Sequence, residues 1–145
     1  MLTPQTIETL GLDLLTPSRD DDGATRAMKR ESRNDLKRAL RSALRGEAPH
    51  VAFYYCKDES KGAGRMAHED FLPLPGIPDN FHMGQIVSVH VSKKGAIYFK
   101  LKDTARSDGD TTWSWTCVRV DRIERFQYRG TQRPARWTGK KAVMT

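Results

Sequence analysis

The stretch QIVSVHVSKKGAIYFKLK, residues 85–102, decides the fold class. Val87, Val89 and Val91 fall at every second position before its centre, and Ile97, Phe99 and Leu101 do so after it. Such alternation marks a strand with one buried face, because successive side chains point to opposite sides of a sheet. Between the two runs, Lys93, Lys94 and Gly95 have the chemistry of a tight turn. The stretch therefore predicts a β-hairpin, with Ser88 and His90 outward on its first arm and Tyr98, Lys100 and Lys102 outward on its second.

The same period of two extends on both sides. Residues 50–57 predict a strand, with Val51, Phe53 and Tyr55 on one face and Ala52, Tyr54 and Cys56 on the other. Residues 65–71 predict a short second strand. The loop over 72–84 follows from Pro73, Pro75, Gly76, Pro78 and Gly84. After the hairpin come a polar loop over 103–110, a fifth strand over 111–120, and a short helical or irregular closing segment over 121–128. Five short strands with a long early loop predict a small antiparallel barrel, which closes its sheet and so removes exposed edges. Its expected core is Val51, Phe53, Val87, Val89, Ile97, Phe99, Val118 and Val120.

The first third of the chain reads as helix. Thr3 as N-cap and Pro4 at the first helical position start a short helix with Ile7 and Leu10 on one face and Gly11 as its stop. Pro17, the run Asp20, Asp21, Asp22, and Gly23 make residues 12–23 a linker. Residues 24–45 contain no Pro or Gly and are rich in good helix formers. Met28, Leu36, Ala39, Leu40, Ala43 and Leu44 form their apolar side, and Gly46 and Pro49 end the helix. Four segments result: a short helix and acidic linker over 1–23, a basic amphipathic helix over 24–46, the β-domain over 50–126, and a basic, aromatic-containing tail over 127–145.

Charge is spread unevenly along the 145 residues, whose net charge is +7. Residues 1–23 carry −4 and residues 24–46 carry +6. This asymmetry points to a polyanionic partner and excludes a protein that mimics DNA with an acidic surface. With 37% apolar and 30% charged residues, the chain is polar without having the composition of a disordered one. It has no apolar run long enough for a transmembrane helix and no secretory leader pattern, so the cytoplasm is the expected compartment.

The last part of the β-region has the form WSWTCVRVDRI, residues 113–123, after a hairpin arm ending Lys100, Leu101, Lys102, Asp103. It resembles the final hairpin of WYL-type and phage WYL-like domains, although the tripeptide WYL itself does not occur. The opening strand from Val51, with Lys57, Asp58, Arg65 and Met66 after it, fits the same layout over about residues 50–126. The resemblance implies an SH3/Sm-like small β-barrel that faces a ligand or nucleic acid, with Arg119 and Arg122 as the matching basic positions. The expected fold is thus α+β: N-terminal helices, a five-stranded antiparallel SH3/Sm-like barrel, and a basic C-terminal tail.

Two segments carry the candidate chemistry. On the helix, Lys29, Arg33, Lys37, Arg41 and Arg45 recur every fourth residue and are neighbours on one face. Arg26, Arg30 and Arg38 widen that surface, which could lie along a phosphate backbone. In the tail, Arg125, Arg129, Arg133, Arg136, Lys140 and Lys141 are interleaved with Phe126, Tyr128 and Trp137 and no acid follows Glu124. Cations follow phosphates, and aromatic faces stack on unpaired bases. Trp113 and Trp115 share one strand face; core packing is the expected role and a stacking surface the alternative. Cys56 and Cys117 read as reduced core cysteines.

Nothing marks an enzyme. His50, His68, His82 and His90 have no zinc spacing with the cysteines, Glu69 and Asp70 point opposite ways, and Gly62 and Gly64 precede no helix. No cofactor or metal is expected. The leading expectation is a nucleic-acid-binding accessory or regulatory protein, its partner DNA or RNA. The alternative is a non-enzymatic interaction factor that binds a protein through Leu36, Leu40 and Leu44, such as a modulator of a host nucleic-acid machine carried by a phage or mobile element. A membrane partner is not expected, since the apolar stripe has no aromatic residue.

Overall fold

The computed structural model describes residues 2–56, 80–105 and 113–131. The elements are α1 (Pro4–Glu8), a 3-10 turn (Asp13–Leu15), α2 (Gly23–Leu44), β1 (Pro49–Tyr55), β2 (Phe81–Val91), β3 (Ile97–Asp103), β4 (Ser114–Arg119), a second 3-10 turn (Val120–Arg122) and β5 (Ile123–Thr131). The strands form one antiparallel sheet in the order β4-β3-β2-β1-β5. The fold is α+β, with β4 and β5 at the two ends of the sheet. The expected strand over 65–71 lies outside the described residues.

Local chemistry sets the helix ends. The Thr3 hydroxyl accepts the N–H of Thr6, and the Asp22 carboxylate accepts the N–H of Thr25, so each caps a helix N-terminus. At the far end of α2, Gly46 takes φ +86° and its N–H donates to Ala43, while Glu47 N–H donates to Ser42. This Schellman closure needs the left-handed conformation that glycine adopts without strain.

Leu36, Ala39 and Leu40 of α2 pack in one core with Val51, Phe53, Ile86, Phe99, Leu101, Val118, Ile123 and Phe126. Ile7, Leu12 and Leu15 join the same core. The segment read as a linker is therefore built into the fold through its 3-10 turn: two well-spaced leucines outweigh the proline and aspartates beside them. α2 also covers one end of the sheet. Ser32 Oγ accepts the N–H of Phe126 at 3.0 Å, and Asp35 Oδ2 accepts the N–H of Tyr128 at 3.0 Å. These are β5 donors on the side away from β1, so the helix satisfies an edge that would otherwise be open.

Three register shifts interrupt the simple alternation, one between β2 and β3 and two between β1 and β5. In β2 the register slips between Ile86 and Ser88, which turns Val87 outward at 45% exposure. Val87 is thus not a core residue; Ile86 takes its place. In β5 the register slips beside Glu124, and residues 123–131 pair with β1 as a full strand. The closing segment expected as helical or irregular is a 3-10 turn followed by this strand. Between β2 and β3, Gly95 takes φ +88° and closes the expected hairpin by donating to Ser92. Gly84 lies so close to β3 that an added Cβ would sit 1.9 Å from the carbonyl oxygen of Lys102.

Candidate nucleic-acid interface

Pairing of β3 with β4 sets Phe99 opposite Val118 and Leu101 opposite Thr116, facing inward. The alternate positions must then face outward: Tyr98 opposite Arg119, Lys100 opposite Cys117, and Lys102 opposite Trp115. Trp113 continues this outer row. Both tryptophans are exposed, Trp113 at 40% and Trp115 at 52%, which corrects the expectation that they pack in the core. Cys117 is exposed as well, so of the two only Cys56 is a core cysteine, and neither forms a disulfide.

The outer face is organised. The rings of Trp113 and Trp115 meet edge to face, with centroids 4.7 Å apart. The ammonium of Lys100 lies 4.5 Å from the Trp115 ring centre, and that of Lys102 lies 5.1 Å from the Trp113 ring centre. Each contact joins a lysine to an aromatic face and leaves the ammonium in solvent reach, worth about 0.5–1 kcal/mol at an exposed site. Tyr98 stacks on His90 of β2, with centroids 5.5 Å apart and ring planes within 5°. Arg119 pairs with Asp121 at 2.8 Å, and that hydrogen bond raises the guanidinium pKa further.

Beneath this face, a buried polar cluster ties three strands together. His82 Nδ1 of β2 lies 2.7 Å from Asp103 Oδ2 of β3, and Thr116 of β4 donates to the same oxygen at 2.9 Å. Asp103 Oδ1 accepts the N–H of Ala105. Burial pushes the Asp103 pKa up, but the hydrogen bonds from His82, Ala105 and Thr116 outweigh it, and the carboxyl sits below its ordinary value. Asp103 is thus a carboxylate at neutral pH and an acceptor, so His82 carries a proton on Nδ1. Thr116 lies between Trp115 and Cys117, so this cluster holds β4 in place under the tryptophans.

The expected basic helix has a different role. Lys29 pairs with Asp21 at 2.9 Å, Arg33 donates to the Thr16 hydroxyl, and Lys37 donates to the Glu8 carbonyl. Arg41 pairs with the Glu8 carboxylate at 2.6 Å, and Arg45 pairs with Glu47 at 3.1 Å. Every member of this five-residue ridge is engaged within the chain, and four of the five hold the segment before α2. Arg38 lies 4.6 Å from the centre of the Tyr128 ring. Leu36 and Leu40 are fully buried in the chain's own core, which leaves Leu44, 38% exposed, as the accessible leucine of the stripe.

α2 packs on β5, β1 and β2, towards the other end of the sheet from β4. The structure therefore does not bring the ridge and Arg119 onto one face. Arg122, in the second 3-10 turn, lines a cleft with Gly11, Asp13, Leu14, Cys56 and Asp121. Arg129 is exposed on β5, with Nη1 3.3 Å from Gln127 Oε1. Arg133, Arg136 and Trp137 lie outside the described residues.

The outer tryptophans had a readable signal. If Val118 and Val120 face the core, strand parity sends residues 113, 115, 117 and 119 to the opposite face. Among the described residues, no group of three or more His, Cys, Asp or Glu is placed to hold a metal, and no helix is long and apolar enough to cross a membrane. No family model, curated protein or solved structure matches this chain.

Proposed function

We propose that this protein is a nucleic-acid-binding accessory protein whose contact surface is the outer face of β3 and β4, not the helix ridge. One observation carries this reading: two exposed tryptophans on a strand, each with a lysine ammonium within about 5 Å of its ring. Cations supply sequence-independent attraction to phosphates, and exposed indoles supply stacking surfaces. The net charge of +7 favours an anionic partner.

The fold proposed to carry this face is a partly open barrel of the SH3 type. Three features support it: a four-strand meander, a 3-10 turn between β4 and β5, and the return of β5 to β1. The bulge in β2 is the kind of feature that bends a sheet towards closure.

The test is binding of the full chain to labelled single- and double-stranded oligonucleotides across a salt series. Log affinity should fall linearly with log salt, and replacing Lys100 and Lys102 by Glu should weaken binding and flatten the line. If neither oligonucleotide binds tighter than about 10⁻⁴ M at low salt, the reading is wrong. A protein partner would then come first. Burial of Leu36 and Leu40 moves its expected contact from the α2 stripe to the edge of β4, which is uncovered among the described residues.

A further inference from the structure

We infer that the β3–β4 face takes single-stranded rather than duplex nucleic acid, with unpaired bases stacking on Trp113 and Trp115. The inference rests on the proposed function and narrows its ligand. A duplex keeps its base faces stacked inside and offers proteins only groove edges and phosphates. Half-exposed indole rings gain little from such a surface. An unpaired base has a free π-face, and stacking on an aromatic side chain uses it whatever the sequence.

The positions of the cations agree. Tyr98, Lys100 and Lys102 run along one row of β3, spanning about 13 Å at the usual rise per residue. Trp113 and Trp115 run beside them on β4. A strand lying along this pair of rows would place its bases over β4 and its phosphates over β3. The span suits roughly two or three bases, the number an aromatic sheet surface ordinarily stacks.

Each lysine already covers a ring, and this defines the binding step. In the free protein the ammonium of Lys100 sits over Trp115 and that of Lys102 over Trp113. On binding, a base replaces the ammonium on the ring, and the lysine swings to the adjacent phosphate. The contact given up is small, and lysine's flexible stem makes the exchange local. Duplex recognition by the helix ridge is disfavoured on the same footing, because Lys29, Arg33, Lys37 and Arg41 already hold the segment before α2.

Cys117 provides a reporter that needs no mutation. It faces outward opposite Lys100, whereas Cys56, the chain's other cysteine, is buried. Alkylation of the native protein should therefore mark Cys117 first.

The experiment uses the full chain with a fluorescent thymidine oligomer of roughly 15 nucleotides and a duplex of the same length. The expected result is single-strand binding at least tenfold tighter than duplex binding near physiological salt. Trp113→Ala and Trp115→Ala should each weaken single-strand binding by about 5- to 150-fold and leave duplex binding unchanged. Trp→Phe at either position should recover much of the loss. Thermal melts should fall by no more than a few degrees, since each ring is half-exposed and loses only surface contacts. Saturating single strand should slow alkylation of Cys117, and an equal concentration of duplex should not. If the duplex binds as tightly and the tryptophan variants are indifferent while Lys100→Glu still weakens binding, the single-strand inference fails and the proposed function stands. If neither oligonucleotide binds, both fail. Binding that leaves Cys117 fully reactive and both tryptophans idle would place the ligand elsewhere and overturn the inference.

Discussion

The ridge on α2 and the outer face of β3 and β4 are both basic, yet their cations do different things. On α2, cations at every fourth position reach back to Asp21, Thr16 and Glu8 and clamp the start of the chain. On β3, Lys100 and Lys102 lie over exposed indoles, and among the described residues neither makes an ion pair. The lesson is that charge density alone does not mark an interface. A cation that already completes a fold contact must give it up before it can bind anything else. A cation resting on an aromatic face gives up little.

Substitutions can break this comparison or sharpen it, and the largest expected effect lies under the ridge. Leu40→Ala should destabilise the fold by about 2–5 kcal/mol in urea, because the side chain is fully buried between helix and sheet. A wild-type unfolding curve would mean that α2 is not anchored, and the ridge could then leave its contacts as freely as the lysines of β3.

Next comes the polar cluster behind the tryptophans. Asp103→Asn should cost about 2–3 kcal/mol at neutral pH, since it weakens charge-assisted hydrogen bonds from His82 and Thr116. Asp103 has a folded pKa below its unfolded value of about 3.9. Its ionic contribution is therefore complete above that value and lost as pH falls through the lower folded pKa. The gap between wild type and variant in urea melts should be constant near neutrality and narrow below about pH 4. A gap that widens with acid would contradict the assignment of Asp103 as the acceptor.

The two surfaces are then compared directly. Reversing Lys100 and Lys102 to Glu should lower single-strand affinity at least tenfold and reduce the salt slope by roughly 1.4, from two phosphate contacts at about 0.7 each. Reversing Arg33 and Lys37 should leave affinity within about threefold and instead lower stability by up to ~1 kcal/mol per contact. The opposite ranking would restore the helix as the binding surface.

The smallest effect belongs to Asp35. Burial raises its pKa, and the hydrogen bond from the N–H of Tyr128 opposes that shift. A raised folded value means that ionised Asp35 costs stability at neutral pH and that the cost fades as pH falls. Asp35→Asn keeps an acceptor for Tyr128 and should stabilise the protein by less than ~1 kcal/mol at pH 7, with no gain under acid conditions. Calorimetry at two pH values would check both statements.

Much of the fold is legible in the sequence. The hairpin over 85–102, the cap at Thr3, the long helix and its end at Gly46 all follow from local rules. What escapes is whatever a bulge or a distant partner decides. A slip after Ile86 puts Val87 outside, and a slip at Glu124 hides β5 behind a charged, aperiodic sequence. The roles of Lys29, Arg33, Lys37 and Arg41 depend on a segment up to thirty-three residues away along the chain. The exposed tryptophans are an intermediate case. Their side of β4 follows from Val118 and Val120 by parity alone, but a large aromatic side chain is on average well buried, and that tendency points the other way.

The unequal ends of the sheet have a consequence for growth. A sheet with two open edges can add a neighbour at each and extend into a filament. Here Ser32 and Asp35 occupy two outward donors of β5, those of Phe126 and Tyr128, and among the described residues only β4 ends the sheet without a helix against it. Among the described residues the sheet is then monovalent. Pairing of two β4 edges would use up the one uncovered edge they leave on each chain, so the helix that completes the fold also works against growth by strand addition.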